Sequence, residues 1–342
     1  MNQDIPHILC TGGAGYIGSH TIVHFSENTQ YRLTILDNLS NCSIKVLDRI
    51  NLLCKKKITF LNVDLCNEEQ IMKVFSNEKY DAVIHYAGLK AVNQSVEQPL
   101  QYYSNNLCGT INLLKAMEKF GCTTLVFSSS ATVYKLSQNQ LKEEDSLEPS
   151  NPYGKSKLFI EQMLKDIFLA RPNWKISILR YFNPIGAHPS GMIGDSPEHT
   201  LNLLPYIQKV AIGHKPYLDV FGTNWNTPDG TGVRDYIHVI DLAEGHLAAL
   251  RYLEKQDKGC CIVHNLGSGN GVSVKEMVQW FERVSDRKIP MRFVERRPGD
   301  LPSVVADSSK AFHDLKWKPT HTVEDACKSA WIWQSNNPNG YE

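Results

Sequence analysis

The sequence predicts an α/β protein built on a doubly wound parallel sheet, followed by a smaller C-terminal α/β domain. Three observations carry this. Short apolar runs alternate with helix-length segments through the first half. The runs are continuously apolar, as strands buried on both faces of a parallel sheet are. A glycine triplet stands between the first run and the first helical segment.

The strand-like runs are HILCT (7–11), LTILD (33–37), ITFLN (58–62), DAVIHYA (81–87), TLVFS (124–128) and ISILRYF (176–182). Helix-length segments lie between them near 16–28, 67–77, 99–120 and 152–170. After about residue 185 the texture changes. NPIGAHPSGMIGDSPEH (183–199) is rich in Gly and Pro and reads as loop. A helix is expected near 239–255, and another over 273–286, where Ser273 and Glu276 have capping-box spacing. The division expected is 1–185 and 186–342, with a soft boundary because elements near 239–255 can return to the first unit.

Composition narrows the function. The chain has 342 residues, 42% hydrophobic and 21% charged, with 36 Lys plus Arg against 36 Asp plus Glu. This balance gives no net field for nucleic acid or an acidic membrane surface. No apolar run approaches the roughly 18 residues of a membrane span, and the N-terminus does not read as a signal peptide. Nine cysteines without C-x-x-C spacing suggest buried, reduced thiols in a cytoplasmic protein. The twelve histidines are scattered, and no metal site is expected.

Gly12, Gly15 and Gly18 in ILCTGGAGYIGSH follow the first strand and open a helical pattern. Glycines let the backbone turn sharply and approach a pyrophosphate, and a helix N-terminus offers unpaired N–H groups to its charge. Asp37 ends the next strand, 19 residues past Gly18. A carboxylate there accepts hydrogen bonds from the adenosine ribose and repels a 2′-phosphate, which favours NAD over NADP. The alternative is a plain glycine-rich turn. In this context the pattern indicates a Rossmann-type NAD-binding domain.

SNPYGKSK (150–157) sets Tyr153 and Lys157 at i, i+4 on one helical face, with Pro152 at the first helical position and Asn151 or Ser150 as its cap. A free tyrosine titrates near pH 10, about three units too high for a base at neutrality. A neighbouring ammonium, and the positive ring of NAD, favour the phenolate. Upstream, Ser128, Ser129 and Ser130 end a strand at the sheet edge where ligands bind. Each piece alone is commonly structural.

TGGAGYIG, SSSATVY and YGKSK resemble the extended short-chain dehydrogenase/reductase family. HYAGLKAV, RYFNPIGAHPSG, GTGVRDYIHV, HNLGSG and RRPGDLP resemble its UDP-glucose 4-epimerase branch, and the resemblance runs from residue 7 to WIWQSNNPNGY. It implies NAD as a tightly bound cofactor and UDP-hexoses as substrates. Tyr16, Ile17, Asp37, Asn38, Asp64, Leu65, Tyr86, Ala87, Gly88 and Lys90 would line the cofactor site. Asn105, Ser128 and Tyr181 would stand near its nicotinamide end, with Tyr153 and Lys157. The family commonly has Phe where Tyr86 stands. Ser130, Tyr153 and Lys157 would be catalytic. Asn183, Asn202 and Leu203 match diphosphate contacts, and Leu218, Val220 and Phe221 match a strand flanking uracil. Arg234 and Arg297 match the positions that neutralise the diphosphate, and Asp300 a ribose contact. A homodimer through the helices near 99–120 and 152–170 is also implied.

Two departures stand out. Lys135 replaces the usual Gly of TVYG, which would be costly if φ is positive there. Val304 occupies a gate beside the sugar where a bulky Tyr excludes N-acetylated sugars, so UDP-GlcNAc and UDP-GalNAc are expected to fit. A nucleotide-sugar 4,6-dehydratase would carry an Asp–Glu pair where Ala131 and Thr132 stand. A simple NAD-dependent dehydrogenase and a nucleotide sensor on the same fold are the other readings. A sensor has no need of Ser130, Tyr153 and Lys157 together.

Overall fold

Seven parallel strands form the central sheet of this computed structural model, which describes residues 5–135, 140–197, 202–296 and 301–342. They are β1 (His7–Thr11), β2 (Arg32–Asp37), β3 (Thr59–Asn62), β4 (Ala82–His85), β5 (Thr124–Ser130), β6 (Lys175–Tyr181) and, far along the chain, β10 (Cys260–Leu266), in the order β10-β6-β5-β4-β1-β2-β3. Every residue of β1 and β4 is buried, which is why these runs carry no polar alternation.

The helices are α1 (Tyr16–Asn28), α2 (Lys45–Leu53), α3 (Glu68–Asn77), α4 (Val92–Glu97), α5 (Pro99–Tyr103), α6 (Gly109–Lys119), α7 (Pro152–Ala170), α8 (Leu203–Ala211), α9 (Val239–Glu254), α10 (Val274–Ser285), α11 (Ser309–Leu315) and α12 (Val323–Asn336). One core cluster lies on the α1 and α9 face of the sheet, and a second on the α3, α6 and α7 face. The expected single helix over 99–120 is broken. A π-helical turn, Ser104–Cys108, separates α5 from α6. Such turns widen the backbone and re-aim side chains, and here Asn105 and Asn106 reach the cofactor side of the sheet.

The remaining strands are β7 (Asn183–Ile185), β8 (Leu218–Phe221), β9 (Val233–His238), β11 (Gly271–Ser273), β12 (Met291–Val294) and β13 (Ser303–Val304). β9 pairs with β7, β11 and β13, and β8 pairs with β12. A third core cluster joins them to α8, α10 and α12. The Ser273 hydroxyl accepts from the Glu276 N–H at 3.0 Å, and the Glu276 carboxylate accepts from Ser273 N–H at 2.7 Å, so α10 starts on a full capping box.

Residues 239–266 run back onto the first sheet, α9 against α1 and β10 beside β6. A fragment 1–185 therefore exposes the β6 edge and the apolar face that α9 covers. We expect it to show no cooperative thermal transition by circular dichroism. A sharp melt would establish 1–185 as a unit that folds alone.

Two expectations are corrected. Lys135 is not among the residues with positive φ. Its N–H donates to Ser146 O at 2.8 Å and its ammonium pairs with Glu148 at 2.9 Å, so it sits without backbone strain. The cysteines are all free, but only Cys10, Cys122 and Cys327 are buried, and Cys66 and Cys108 are exposed. Cys66 lies in the turn before α3 and Cys108 in the π-helical turn before α6.

Candidate active site

The chain leaves β3 at one side of β1 and returns as β4 on the other. This reversal opens a crevice at the C-terminal ends of the strands. A groove of about 680 Å³ fills it. Gly12, with φ of +72°, makes its floor, and a Cβ there would stand 2.5 Å from Ala87 N. A Cβ at Gly18 would stand 2.5 Å from Gly12 O, so only glycine lets α1 start this close to the loop. Gly15 caps α1 without a side-chain bond, and no acidic residue occupies the first turn. No carboxylate competes there with an anion for the free N–H groups.

Asp37 ends β2 at the groove wall. Its carboxylate accepts from Ala14 N–H at 3.1 Å and Leu39 N–H at 2.9 Å. Burial nonetheless pushes its pKa up from the ordinary carboxylate value. The Asn38 amide donates to Asp64 at 3.1 Å, which fixes the adjoining corner. A cradle that excludes any Cβ, an open helix N-terminus and an acid at the next strand end together fit a dinucleotide.

At the other end of the groove Asn151 caps α7, accepting from Gly154 N–H at 2.9 Å, with Pro152 in the first turn. A Cβ at Gly154 would lie 2.6 Å from Thr132 O. That glycine lets the start of α7 close on the turn after β5, bringing Tyr153 to Ser130. Burial raises the Tyr153 pKa, and a hydrogen bond with Ser130 pulls it down. Lys157 is buried, and its ammonium donates to Ser128 O at 2.8 Å, 6.0 Å from the centre of the Tyr153 ring. Burial lowers its pKa to about 8, opposed by the Glu161 charge. The expected lowering of the Tyr153 pKa by Lys157 is not seen: burial raises it, and the opposing influence is the Ser130 hydrogen bond.

Beneath them, Glu161 accepts from Ser129 at 2.5 Å and holds Arg180 through two bonds, at 3.0 and 2.7 Å. Both charges are buried. This pair ties α7 to the ends of β5 and β6, and so fixes Ser128 and Ser130 on either side of Ser129.

A second cavity, about 430 Å³, opens beside the groove, and the two share Tyr16, Ile17, Lys90 and Asp195 as walls. Ser130, Tyr153 and Tyr181 line it on the sheet side. Asn183, Asn202, Leu203, Leu218, Val220, Phe221 and Arg234 line it on the other. Arg234 donates to Leu301 O at 2.9 Å. Asn183 donates to Asp235 O at 2.8 Å.

An NAD-binding groove meeting a second cavity at a Ser–Tyr–Lys cluster, in a chain with this strand order, narrows the identity. A family model described as GDP-mannose 4,6 dehydratase matches residues 9–330. UDP-glucose 4-epimerase 1 of Oryza sativa subsp. japonica is 52% identical over 340 residues, covering 98% of this chain and 96% of that one. The Bacillus subtilis (strain 168) UDP-glucose 4-epimerase is 50% identical over 337 residues, 98% of each chain. The chain belongs to the UDP-glucose 4-epimerase family. Among solved structures, the Bifidobacterium longum UDP-glucose 4-epimerase in complex with NAD+ and UDP is similar, with a TM-score of 0.93 and 44% identity over 98% of this chain and 99% of that chain. That family is a branch of the extended short-chain dehydrogenase/reductases, and the acid–base pair expected of a dehydratase is not at the end of β5. Ala131 and Thr132 form a short helical turn after Ser130 and carry no carboxyl group.

Gly12, Gly15, Tyr16, Ile17, Gly18, Asp37, Asn38, Asp64, Leu65, Tyr86, Ala87, Gly88, Lys90, Asn105 and Ser128 come together on the groove wall of this epimerase-family chain. Lys157 lies just beneath that wall, where a Cβ on Gly88 would be 3.7 Å from its nitrogen. Val304 does not line the cavity. It pairs with Arg234 in the β9–β13 ladder and packs on the cluster of Val133, Tyr134, Leu141 and Phe182, of which Phe182 is a cavity wall. Arg297 and Asp300 lie outside the described residues.

Some wall residues had no sequence signal. Asp195 borders both chambers from a Gly/Pro-rich loop, and burial raises its pKa while the Lys90 charge opposes. Tyr341 borders the groove from the far end of the chain. Its hydroxyl donates to Gly194 O at 3.0 Å and accepts from Gly194 N–H at 3.1 Å. Arg49 lies 5.4 Å from the Trp333 ring centre and 5.0 Å from that of Tyr341, and donates to Met192 O at 3.0 Å. This stack clamps the tail and the 190s loop onto α2.

Proposed function

We propose that Tyr153, with Ser130 and Lys157, moves the proton in the C4 epimerisation of UDP-glucose and UDP-galactose by this isomerase. The observation that carries the reading is the position of the Tyr153–Ser130 pair. It stands in the wall of the second cavity, beside the walls the two chambers share. NAD, when bound in the groove, supplies the acceptor and donor of hydride at the sugar C4.

Tyr153 takes the proton of the 4-hydroxyl, and Ser130 holds the same oxygen. With hydride lost from C4 the 4-hydroxyl carbon becomes a ketone; the sugar turns so that hydride would return to its other face, and Tyr153 gives the proton back to the oxygen. Lys157 keeps a positive charge beneath the ring and favours the phenolate. The UDP half must stay fixed while the sugar moves, so binding energy is concentrated remote from the reacting carbon. Arg234, Asn183, Asn202 and Leu203 suit the diphosphate, and the β8 residues Leu218, Val220 and Phe221 suit the uracil. Arg297 and Asp300 complete that set by resemblance. Asp37 supports NAD over NADP. Tyr181 belongs with the nicotinamide end.

Val304 stands behind the cavity wall at Phe182, and we read its small side chain as letting Phe182 give way to an N-acetyl group. The purified protein, with no cofactor added, should convert UDP-galactose and UDP-GalNAc to their C4 epimers, resolved by chromatography. Conversion of UDP-galactose alone removes the N-acetyl reading. Conversion of neither, even with NAD supplied, removes the epimerase site. Val304→Tyr should abolish N-acetyl turnover and spare UDP-galactose.

The exposed Leu100 and Phe159, with Tyr103 packed 6.1 Å from Phe159, support a homodimer through α5 and α7. Free thiols support a cytoplasmic setting. Among the described residues no helix is long and apolar enough to cross a membrane, and no group of three or more His, Cys, Asp or Glu could hold a metal ion.

A further inference from the structure

His246 lies on α9, fully buried, on the side of the sheet away from α7. Its Nδ1 stands 2.7 Å from Leu242 O. A carbonyl only accepts, so Nδ1 carries the ring proton and Nε2 presents a lone pair. That Nε2 is hydrogen-bonded to the Tyr181 hydroxyl. With a neutral imidazole accepting, Tyr181 must be the donor. The imidazole stays neutral at working pH, since burial pushes its pKa down to about 4.

The ring touches a wall of each chamber. It lies 5.2 Å from Tyr181, which borders the second cavity, and 4.9 Å from Tyr86, which borders the cofactor groove. Having committed its one proton to His246, the Tyr181 oxygen can offer only lone pairs to the site. Tyr181 shares the wall of the second cavity with Ser130 and Tyr153. Burial raises its pKa, a hydrogen bond with Ser128 at the end of β5 opposes this, and the Tyr153 charge adds to it.

We infer that His246 is a positioning residue for the epimerisation: by holding the Tyr181 proton it makes Tyr181 a fixed acceptor at the redox end of the site. The reason is competition. A Tyr181 hydroxyl free to rotate can donate to the Tyr153 phenolate, or to the sugar 4-oxygen that Ser130 and Tyr153 must hold. Either bond takes an oxygen out of the reaction. This rests on the assignment of Tyr153 as the proton carrier.

The test is a double-mutant cycle on the NAD-bound enzyme with UDP-galactose. His246→Phe fills the space and removes the acceptor. It should lower kcat about tenfold, the scale of one hydrogen bond, with KM and bound NAD unchanged. His246→Gln, whose amide can serve both bonds, should restore much of that loss and is the variant to use if the Phe form does not fold. In a Tyr181→Phe background neither change at 246 should matter further. A loss that persists in that background overturns the inference, because it would come from packing and not from the hydroxyl. Unchanged kcat for His246→Phe with Tyr181 intact overturns it equally. Tyr153→Phe is the control: if that variant stays active, the site assignment has failed and the inference falls with it, whatever the cycle shows.

Discussion

Tyr153→Phe will retain NAD and lose turnover by about 10²–10⁴-fold, the usual worth of a positioned acid–base group. The ring stays, so the start of α7 and its fit against Thr132 are undisturbed. Only the oxygen that faces Ser130 is removed. Single-turnover absorbance at 340 nm after adding UDP-galactose checks the step directly, and retained reduction would remove Tyr153 from the mechanism. The pH profile carries the signs of two groups. Tyr153 must lose its proton, and burial raises its pKa, so the rate climbs as pH rises. Lys157 is pushed down to about 8, so its positive charge is present below that value and lost above it. The rate should therefore pass through a maximum and fall on the alkaline side. Lys157→Met should remove that alkaline limb along with most activity.

Glu161→Ala will destabilise the fold by about 3–5 kcal/mol, because it leaves Arg180 charged and buried without its partner. Arg180 is 1% exposed and Glu161 fully buried. Among the described residues the guanidinium then keeps the Glu143 carbonyl at 3.0 Å and the Tyr134 ring at 4.7 Å. Desolvation disfavours its charge, and today the Glu161 carboxylate overrides that. Replacing both partners, as Glu161→Leu with Arg180→Met, should be less harmful than the single change, since no orphan charge remains. Urea melts of the NAD-bound forms separate the two outcomes. Equal stability of the Ala variant and the native chain would mean that water reaches Arg180. The double variant should still lose activity, because Ser129 loses its acceptor and the β5 end is no longer fixed.

The first half of the chain was legible because each strand is buried on both faces and each crossover carries its own helix. HILCT, LTILD and TLVFS need no partner to be recognised, and the glycine triplet declares its turn by chemistry alone. α2 was missed, since KVLDRINLL lies in a polar stretch between a Ser/Asn-rich loop and three lysines. β10 was missed for a different reason. CCIVHNL reads as a strand only once β6 offers it an edge 85 residues earlier in register, Tyr181 against Leu266 at the end and Ile176 against Cys261 near the start. Tyr153, Lys157 and Ser130 were readable as a pattern. Asp195, Tyr341 and His246 were not, because each acquires a role only from a neighbour that the fold delivers. Val304 could be placed by resemblance, but its packing behind Phe182 could not.

The clamp of Arg49 on Trp333 and Tyr341 has a consequence for how the molecule is made. α2 leaves the ribosome early, whereas its stacking partners are translated nearly 300 residues later. Until then the cofactor groove lacks one wall, and Gly194 has no hydroxyl to hold it. A nascent chain can fold its first strands around a dinucleotide but cannot close over it. Firm retention of NAD should thus wait until Trp333 and Tyr341 have been made and have docked on Arg49.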